Sequence, residues 1–503
     1  MKKIILILLL VCLFSPVILL FSCGNSGETN NNGTIIDGGN EPDAGTALQN
    51  EPDEERLYAN VPTVDYGGYE FKILTFADPN NPLHDHPDLT WHEEYMGEIL
   101  NDAVYTRNMA IKERFNIKLT EIHSTDSAND LRKAVTTQSD MYDLAGQRMV
   151  IAYTPITNGY YMNLHSMPNL DLTKPWYIQD SVKNLTVRGK LFTVYSEMLI
   201  SPYCATAVYV FNKKLHHDYG LPDPYQMVKD GAWTFEALYD MCKTGSRDLN
   251  GDGVMTYHDD QWGFASTNDV MGGALIGGGG SMGAFHADGS FGFTLANEKN
   301  ISIMDKAFRL IYDKNISVNT HAVSDHGQSD VQVALNKLWT EGRGLFAMTR
   351  IVNIRMWREM DIPFGILPTP KYDSAQENYR NNVTPWIAMG IGIPVTATDI
   401  DRTTIILEAM SAESRYTVQP AYFEITLKMK QARDDESAEM LEYIFGNAII
   451  DSAIAFNFGQ IFEHFANMSH TYNSDIQSLC DKYLPPAEKS VEKFLDFIDS
   501  LDN

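Results

Sequence analysis

Basic residues are scarce in this chain of 503 residues. Its 39 lysines and arginines are outnumbered by 66 aspartates and glutamates, which gives a formal net charge of −27 at pH 7. Proteins that bind nucleic acid neutralise phosphates with clusters of Lys and Arg. The charge balance therefore excludes nucleic acid as a partner and indicates a well-solvated acidic surface.

Cysteine is also scarce, with five residues: Cys12, Cys23, Cys204, Cys242 and Cys480. They show no paired spacing, so the sequence predicts neither a disulfide framework nor a zinc site. Cys12 and Cys23 belong to the N-terminal segment considered below. For the other three we expect buried free thiols, and one disulfide among them is the alternative.

Catalytic motifs are missing as well. The sequence contains no nucleophile elbow, metalloprotease helix motif or phosphate-binding loop. Glu93 and Glu94, or Asp259 and Asp260, are adjacent carboxylates, but a glycosidase needs two carboxylates on either side of the scissile bond. A non-catalytic binding protein is therefore the first hypothesis, and a lipid-anchored glycan-degrading enzyme is the alternative.

Long apolar runs are limited to the N-terminus. Lys2 and Lys3 precede a run from Ile4 to Phe21 that is interrupted only by Ser15 and Pro16, as in a secretory signal peptide. Cys23 follows the small residue Ser22, and residues 1–22 resemble a bacterial lipoprotein signal. The resemblance implies cleavage before Cys23, its lipidation, and a cell-surface protein anchored to the outer face of the cytoplasmic membrane. The alternative is an uncleaved transmembrane anchor.

The residues after the signal divide into a tether and a folded region. Residues 23–65 are rich in Gly, Asn, Glu, Asp and Pro, a composition that favours a flexible linker. The remainder is too long for one core and suggests two or three lobes. Its beginning predicts strand, helix, strand, helix and strand in turn, which is typical of a parallel α/β sheet. The predicted elements are 70–76, 97–115, 116–122, 127–137 and 141–145.

Several later segments occur in the order found in a known family. The matching segments are 97–108, 113–117, 188–192, 207–214, 231–234, 341–348, 364–371 and 386–394. Together they resemble the extracellular solute-binding proteins of ABC transporters (family 1-like), which are distantly similar to maltose-binding protein. The resemblance extends from about residue 69 to residue 480.

This resemblance implies a type II periplasmic-binding-protein-like α/β fold, with two lobes joined by hinge strands around a cleft. Lobe 1 would comprise 66–198 plus 361–412, and lobe 2 would comprise 199–360 plus 413–503. The implied function is capture of a carbohydrate, an oligosaccharide, and its delivery to a membrane permease by a monomer. A sugar-sensing receptor that acts on a sensor kinase is a further alternative.

Candidate ligand contacts combine aromatic rings with polar groups near predicted strand ends, as sugar pockets do. They are Trp91, Gln147, Arg148, Tyr203, Asn268, Arg350 and Trp386. For Trp91 and Arg148 a surface position is an open alternative. Trp233, Trp262, Trp339 and Trp357 lie in packing motifs or helical stretches, so we expect them in the core.

The segment 248–259, DLNGDGVMTYHD, has the spacing of a calcium loop. The predicted ligands are Asp248, Asn250, Asp252, the carbonyl of Val254, Thr256 through a water, and Asp259. Asp260 is an alternative to Asp259, and an Asx-turn loop without metal is the alternative to the whole site. The expected role of Ca²⁺ is structural.

Overall fold

The computed structural model describes residues 56–81, 83–84, 89, 94–323, 327–357, 360–427 and 435–501. The predicted signal peptide, Cys23, most of the predicted linker and Trp91 lie outside the described residues. Among the described residues, the strands in chain order are β1 Tyr69–Phe76, β2 Ile117–Ser124, β3 Leu144–Arg148, β4 Ala207–Asn212, β5 Trp262–Ser266, β6 Gly283–Phe285, β7 Phe291–Phe293, β8 Ser317–Asn319, β9 Gly344–Arg350, β10 Phe364–Leu367, β11 Asn381–Asn382, β12 Met389–Gly392 and β13 Ala448–Ile449.

The helices connect these strands and cover both sheets. In chain order they are α1 Ile99–Phe115, α2 Ser127–Thr136, α3 Met149–Thr157, α4 Gln179–Leu185, α5 Ser201–Cys204, α6 Lys213–Asp218, α7 Pro224–Lys229, α8 Phe235–Gly245, α9 Val270–Gly277, α10 Glu298–Ile311, α11 Thr320–Val323, α12 Gly327–Thr340, α13 Ile351–Met356, α14 Ile400–Tyr416, α15 Val418–Leu427, α16 Asp435–Phe445, α17 Ser452–Phe456, α18 Ile461–Thr471 and α19 Ile476–Ser500.

The first sheet has the strand order β12-β3-β1-β2. Strand β1 runs parallel to β2 along its full length and parallel to β3, whereas β12 is antiparallel to β3. This confirms the predicted strand–helix–strand–helix–strand segment. Strand β3 begins about three residues later than predicted. The carboxylate of Asp143, just before it, instead accepts the backbone N–H of Lys72 at 2.8 Å.

The second sheet has the strand order β10-β4-β9-β5-β8. Strand β5 runs parallel to its two neighbours, β9 and β8, and β4 runs antiparallel to its two neighbours, β9 and β10. The predicted lobe 1 includes residues 361–412. For β10 that assignment is wrong, because Phe364–Leu367 hydrogen-bonds to β4 within the second sheet. The chain returns to the first sheet only at β12. The two sheets confirm the two-lobed α/β fold.

The end of the predicted linker packs onto the first lobe. Ala59 and Val61 are buried, the carbonyl of Val61 accepts from Arg114 Nη2 at 3.0 Å, and the backbone N–H of Leu57 donates to the hydroxyl of Tyr416 at 2.8 Å. Residues 57–65 are therefore held by side chains of helices α1 and α14. The expected flexible linker does not extend through residue 65.

The C-terminal helices also depart from the predicted division, which placed 413–503 in lobe 2. Helix α15 packs against α1 of the first lobe. Helix α19 packs against α3, where the hydroxyl of Tyr153 donates to the carbonyl of Ser490 at 2.9 Å. Helices α16 and α18 pack on β10 and α9 of the second lobe. The C-terminal region thus bridges the two lobes, because its apolar faces alternate between them.

Helix α1 is anchored by a buried arginine. Arg107 is fully buried, and its guanidinium donates to the carbonyls of Leu89 at 2.7 Å and Met198 at 3.1 Å. Burying a guanidinium is costly unless its N–H groups find acceptors. These bonds connect α1 to the loop after β1 and to the segment that leaves the first lobe.

The predicted core residues are buried. Trp233, Trp262, Trp339 and Trp357 are all at most 4% exposed, and the rings of Trp339 and Trp357 stack at 5.2 Å. The remaining cysteines, Cys204, Cys242 and Cys480, are buried free thiols, as expected. Among the residues that the structure describes, no helix combines the length and apolarity needed to cross a bilayer.

Candidate functional site

A cavity of about 260 Å³ lies where loops of the two sheets meet. Its walls come from five places: the loop after β1, the segment before β12, the carboxyl ends of second-sheet strands, Val331 and Gln332 of helix α12, and one face of helix α18. Three predicted contacts, Asn268, Arg350 and Trp386, line it together.

The second sheet contributes the carboxyl ends of its parallel strands. Thr267, Asn268 and Asp269 follow β5, His321 follows β8, and Arg350 ends β9. Parallel strands place their carboxyl ends at one edge, where α/β sheets commonly bind ligands. The parallel strands therefore bring the hydrogen-bonding side chains that follow them to the same wall of the cavity.

The first sheet contributes a smaller wall. Leu83 comes from the loop after β1, and Trp386 lies three residues before β12. The carbonyl of Trp386 accepts a long hydrogen bond, 3.5 Å, from Nη1 of Arg148. The guanidinium of Arg148 lies 3.8 Å from the ring centre of Phe76, so Arg148 positions the Trp386 segment without lining the cavity itself.

Helix α18 provides a face that sequence reasoning missed. Glu463, Ala466, Asn467 and His470 line the cavity, and their spacing of three, four and seven residues places them on one side of a helix. The signal was present in the sequence as a polar stripe on an amphipathic segment. Only the packing of α18 against α9 and α11 directs that stripe toward the site.

Asn268 is the centre of a hydrogen-bond network. Its Nδ2 donates to Oδ1 of Asn467 at 3.0 Å, and its Oδ1 accepts from the Ser469 hydroxyl at 2.8 Å. The Nδ1 atom of His470 lies 3.1 Å from the same oxygen. Asn268 therefore fixes the side chains that helix α18 presents to the cavity.

Two histidine rings stack beside this network. His321 and His470 lie 5.8 Å apart between ring centres, and the backbone N–H of Asn268 donates to Nδ1 of His321 at 3.2 Å. Because Nδ1 accepts this bond, a neutral His321 carries its proton on Nε2. Burial lowers the pKa of His321 to about 4, and burial also lowers the pKa of His470.

An ion pair lies at the hinge side of the cavity. Arg350 Nη1 is 3.1 Å from Oδ2 of Asp269, and both side chains are largely buried. The hydroxyl of Thr384 donates to the other Asp269 oxygen at 3.3 Å. Among the described residues, Nε of Arg350 and the hydroxyl of Thr267 are buried without a partner. Such buried donors call for a ligand or ordered water.

The other predicted contacts lie away from this cavity. Gln147 is buried, and its Oε1 accepts from the Ser127 hydroxyl at 2.9 Å. Tyr203 packs edge-on against the rings of Phe423 and Phe445. Neither lines the cavity, because both side chains are used in packing between structural elements.

The predicted calcium loop has a tightly turned backbone. The two carboxylate oxygens of Asp248 accept the N–H groups of Gly251 and Gly253, each at 2.7 Å. Both glycines have positive φ, 76° and 82°, which favours glycine there. Asp252 accepts the N–H of Val254 at 2.8 Å. These bonds point the side-chain oxygens inward, as both a cation site and an Asx-turn loop require.

The loop is closed by Asp260. This buried carboxylate accepts the N–H groups of Leu249 at 2.9 Å and Thr256 at 2.6 Å, whereas exposed Asp259 accepts only the Thr256 hydroxyl, at 3.2 Å. In the described part of the chain, no three His, Cys, Asp or Glu side chains gather as a metal shell. The oxygens of Asn250 and the Val254 carbonyl would have to complete it, so calcium stays a prediction.

Comparisons with known proteins agree with this architecture. No protein-family model matches the sequence, and no curated protein matches it either. Among solved structures, the ABC substrate-binding protein Lmo0181 from Listeria monocytogenes, in complex with cycloalternan, is similar with a TM-score of 0.53 and 11% identity, over 86% of this chain and 99% of that chain.

Two further structures are similar over comparable lengths. UspC of M. tuberculosis has a TM-score of 0.53 and 14% identity, over 84% of this chain and all of that chain. A solute-binding protein of an ABC transporter from Thermotoga lettingae, bound with α-D-tagatose, has a TM-score of 0.50 and 12% identity, over 85% and 100%. At such identities the likeness shows the fold, which is that of two-lobed solute-binding proteins.

Proposed function

We propose that this chain is a non-catalytic solute-binding protein that captures a carbohydrate in the cavity between its lobes. The observation that carries the proposal is the composition of the lining: one cavity combines the aromatic residue Trp386 with the polar residues Asn268, Asn467 and Arg350. An indole packs on the C–H face of a sugar ring, and convergent polar groups bind its hydroxyls.

The nature of the similar structures supports this ligand class and a transport role. Two of them hold cycloalternan and α-D-tagatose, and two are described as ABC transporter proteins. We propose that the present chain likewise delivers its ligand to an ABC permease. The proposed lipid on Cys23 would keep it at the outer face of the membrane. Mass spectrometry of the mature N-terminus tests the anchor, and an unmodified Met1 would rule it out.

Binding without turnover is favoured by the carboxylates of the cavity. Glycoside hydrolysis uses two carboxylates on either side of the scissile bond. Among the described lining residues the carboxylates are Asp269 and Glu463, and Asp269 is engaged by Arg350 and Thr384. Within the described lining, one unengaged carboxylate does not provide the acid and base pair.

Ligand binding can be coupled to hinge closure through the crossing segments. The N–H of Ile351 donates to the Thr206 carbonyl at 3.1 Å, and the N–H of Thr384 donates to the Ala205 carbonyl at 3.1 Å. Arg350 and Trp386 lie directly beside these contacts. A ligand that bridges the two side chains therefore favours the closed arrangement of the lobes.

A thermal-shift screen of the purified protein with a glycan panel tests the proposal. Binding to the native state should raise the melting temperature in proportion to the logarithm of ligand concentration. Stabilisation by a sugar that is recovered unchanged is the expected result. Release of smaller sugars would favour the enzyme, and no shift with any glycan would contradict the carbohydrate ligand.

We further propose that the 248–260 loop binds a structural Ca²⁺, with Asp248, Asn250, Asp252, the Val254 carbonyl, Thr256 through a water and Asp259 or Asp260 as ligands. Hard oxygen donors are the ligands that this cation prefers. A chelator should lower the melting temperature of the wild type but not that of D252N. D288N, in another exposed Asx turn, should respond to chelator as the wild type does. A wild-type melting temperature unmoved by chelator would contradict the site.

A further inference from the structure

The charged groups around the cavity do not balance. Among the described lining residues, Arg350 and Asp269 form an ion pair that neutralises both charges. Glu463 is the remaining charged residue of that set, because His321 and His470 are neutral at pH 7, burial having lowered the pKa of each. The described walls thus carry one net negative charge.

Glu463 has no partner within the described part of the protein. Its carboxylate makes no hydrogen bond or ion pair there, although the side chain is half-buried. Its neighbour His464 stacks on Tyr483 at 3.6 Å between ring centres. Burial lowers the pKa of His464, so this ring does not neutralise the carboxylate at pH 7. Glu463 is therefore available to a ligand as an acceptor.

The unpaired donors of the cavity do not offset this charge. Arg350 would be the usual partner of a ligand carboxylate, but Asp269 already engages its Nη1. Among the described lining residues, the buried donors that have no partner are Nε of Arg350 and the hydroxyl of Thr267. Both suit a sugar hydroxyl, and neither supplies a free positive charge. Within the described walls, an anionic ligand would therefore face Glu463 without a counter-charge.

From these contacts we propose that Glu463 sets the charge selectivity of the cavity: sugars that carry an amino group bind best, neutral sugars bind less tightly, and uronic acids are rejected. The carboxylate accepts hydrogen bonds from hydroxyls, gains a charge-assisted bond with an ammonium group, and repels a second carboxylate. This inference rests on the proposed carbohydrate-binding function and extends it to a subclass of sugars.

The test uses glucose, galactose and mannose, each with its 2-amino and its uronic acid counterpart, and the full mature protein. Affinities are measured at low salt by isothermal titration calorimetry. For at least one of the three parent sugars, the amino sugar should bind most tightly, the neutral sugar less tightly and the uronate least tightly. The amino sugar should bind at least about tenfold more tightly than the uronate, since like charges brought together cost well over 1.4 kcal/mol. A uronate that binds as tightly as its amino counterpart overturns the inference.

The isosteric variant E463Q separates charge from shape. It should reduce the preference for the amino sugar over the uronate to within about threefold, and this ratio is the readout, whatever the affinity for neutral sugars becomes. E488Q removes the same charge from an exposed position of α19 and should leave the ranking unchanged. An unaltered ranking in E463Q overturns the inference with sugar binding intact. If none of the nine sugars binds either protein and no glycan of the panel shifts the melting temperature, the carbohydrate ligand itself is contradicted, and the inference about charge selectivity with it.

Discussion

The two walls of the cavity come from sheets of similar construction, yet they differ in chemistry. The first lobe contributes Leu83 and the indole of Trp386, whereas the second contributes Asn268, Asp269 and Arg350. Both walls follow the carboxyl edge of a sheet. The first lobe thus offers apolar contacts, whereas the directional hydrogen-bonding groups come from the second lobe, alongside the apolar residue Val331 of α12.

The difference arises from what each lobe does with its strand ends. In the first sheet, Gln147 is buried against Ser127 and Arg148 lies over Phe76, so their polar groups serve the fold. In the second sheet, Arg350 ends β9 at the cavity and keeps an unpaired Nε. A polar residue at a strand end is therefore not a ligand contact until its local partners are known.

The largest effect is expected from breaking the ion pair between Arg350 and Asp269 in the wall that the second lobe provides. R350M should lower the free energy of unfolding by about 3–5 kcal/mol, because it leaves the buried Asp269 carboxylate without its counter-charge. Urea denaturation measures this loss. The double variant R350M/D269N should recover at least half of it, and R132M, at an exposed arginine, should cost little. A loss below about 1 kcal/mol in R350M would show that the pair is not buried as described.

Removing the indole of Trp386 should reduce the affinity for ligand more than the stability of the fold. W386A should weaken carbohydrate binding by about 2–3 kcal/mol, or roughly 30- to 150-fold, as expected for a central aromatic contact. Because Trp386 is only half-buried, the melting temperature without ligand should change less than in R350M. Calorimetric titration measures the affinity, and W386F should retain part of it. Equal affinity in W386A and wild type would contradict a role for this wall.

Removing the hydrogen bonds of Asn268 should reduce ligand affinity by an intermediate amount. N268A removes the hydrogen bonds that position Asn467 and His470, and we expect about 1–2 kcal/mol of lost affinity. The same titration measures it. N315A, at an exposed asparagine, is the matched control and should bind as the wild type does. If N268A and N315A behave alike, helix α18 is held by packing alone.

The smallest effect is expected in the pH dependence of stability, and it should come from His321. The pKa of His321 is lowered from 6.5 to about 4. As pH falls between these values, the unfolded chain takes up a proton that folded His321 does not, so the stability contributed by neutral His321 is lost. Between pH 7 and pH 4.5 this shift corresponds to at most about 2.4 kcal/mol. Because the ring is only partly buried, the wild type should lose about 1 kcal/mol more than H321Q.

Urea denaturation at the two pH values gives this difference directly. The variant W386A is the appropriate comparison, because the indole does not titrate and the pH dependence of W386A should match that of the wild type. If H321Q and wild type lose the same free energy, His321 is not held neutral in the folded state.

Prediction from the sequence was most successful where one segment determines its own structure. The strands and helices from Tyr69 to Thr136 follow local apolar patterns, and the structure has them within about three residues. It was less successful in predicting which sheet a strand joins. Strand β10 was assigned to the wrong lobe, because a short buried apolar strand packs equally well in either sheet.

The candidate site shows the same limit. Asn268, Arg350 and Trp386 were predicted and do meet at the cavity, whereas Tyr203 and Gln147 were predicted and do not line it. Strand ends can be recognised in a sequence, but the neighbour that captures a side chain belongs to a distant segment. For Tyr203 that neighbour is Phe423, and for Gln147 it is Ser127.

By itself, the sequence determined the α/β class, the acidic surface, the free thiols and the core tryptophans, because composition and local periodicity control these features. Only the tertiary structure decided which lobe takes β10, that residues 57–65 are held against helices, and that the polar stripe of α18 faces the cavity. These depend on contacts between segments far apart in the chain. Glu463 illustrates the point: its charge is evident in the sequence, but the fold brings it to the same cavity as Trp386.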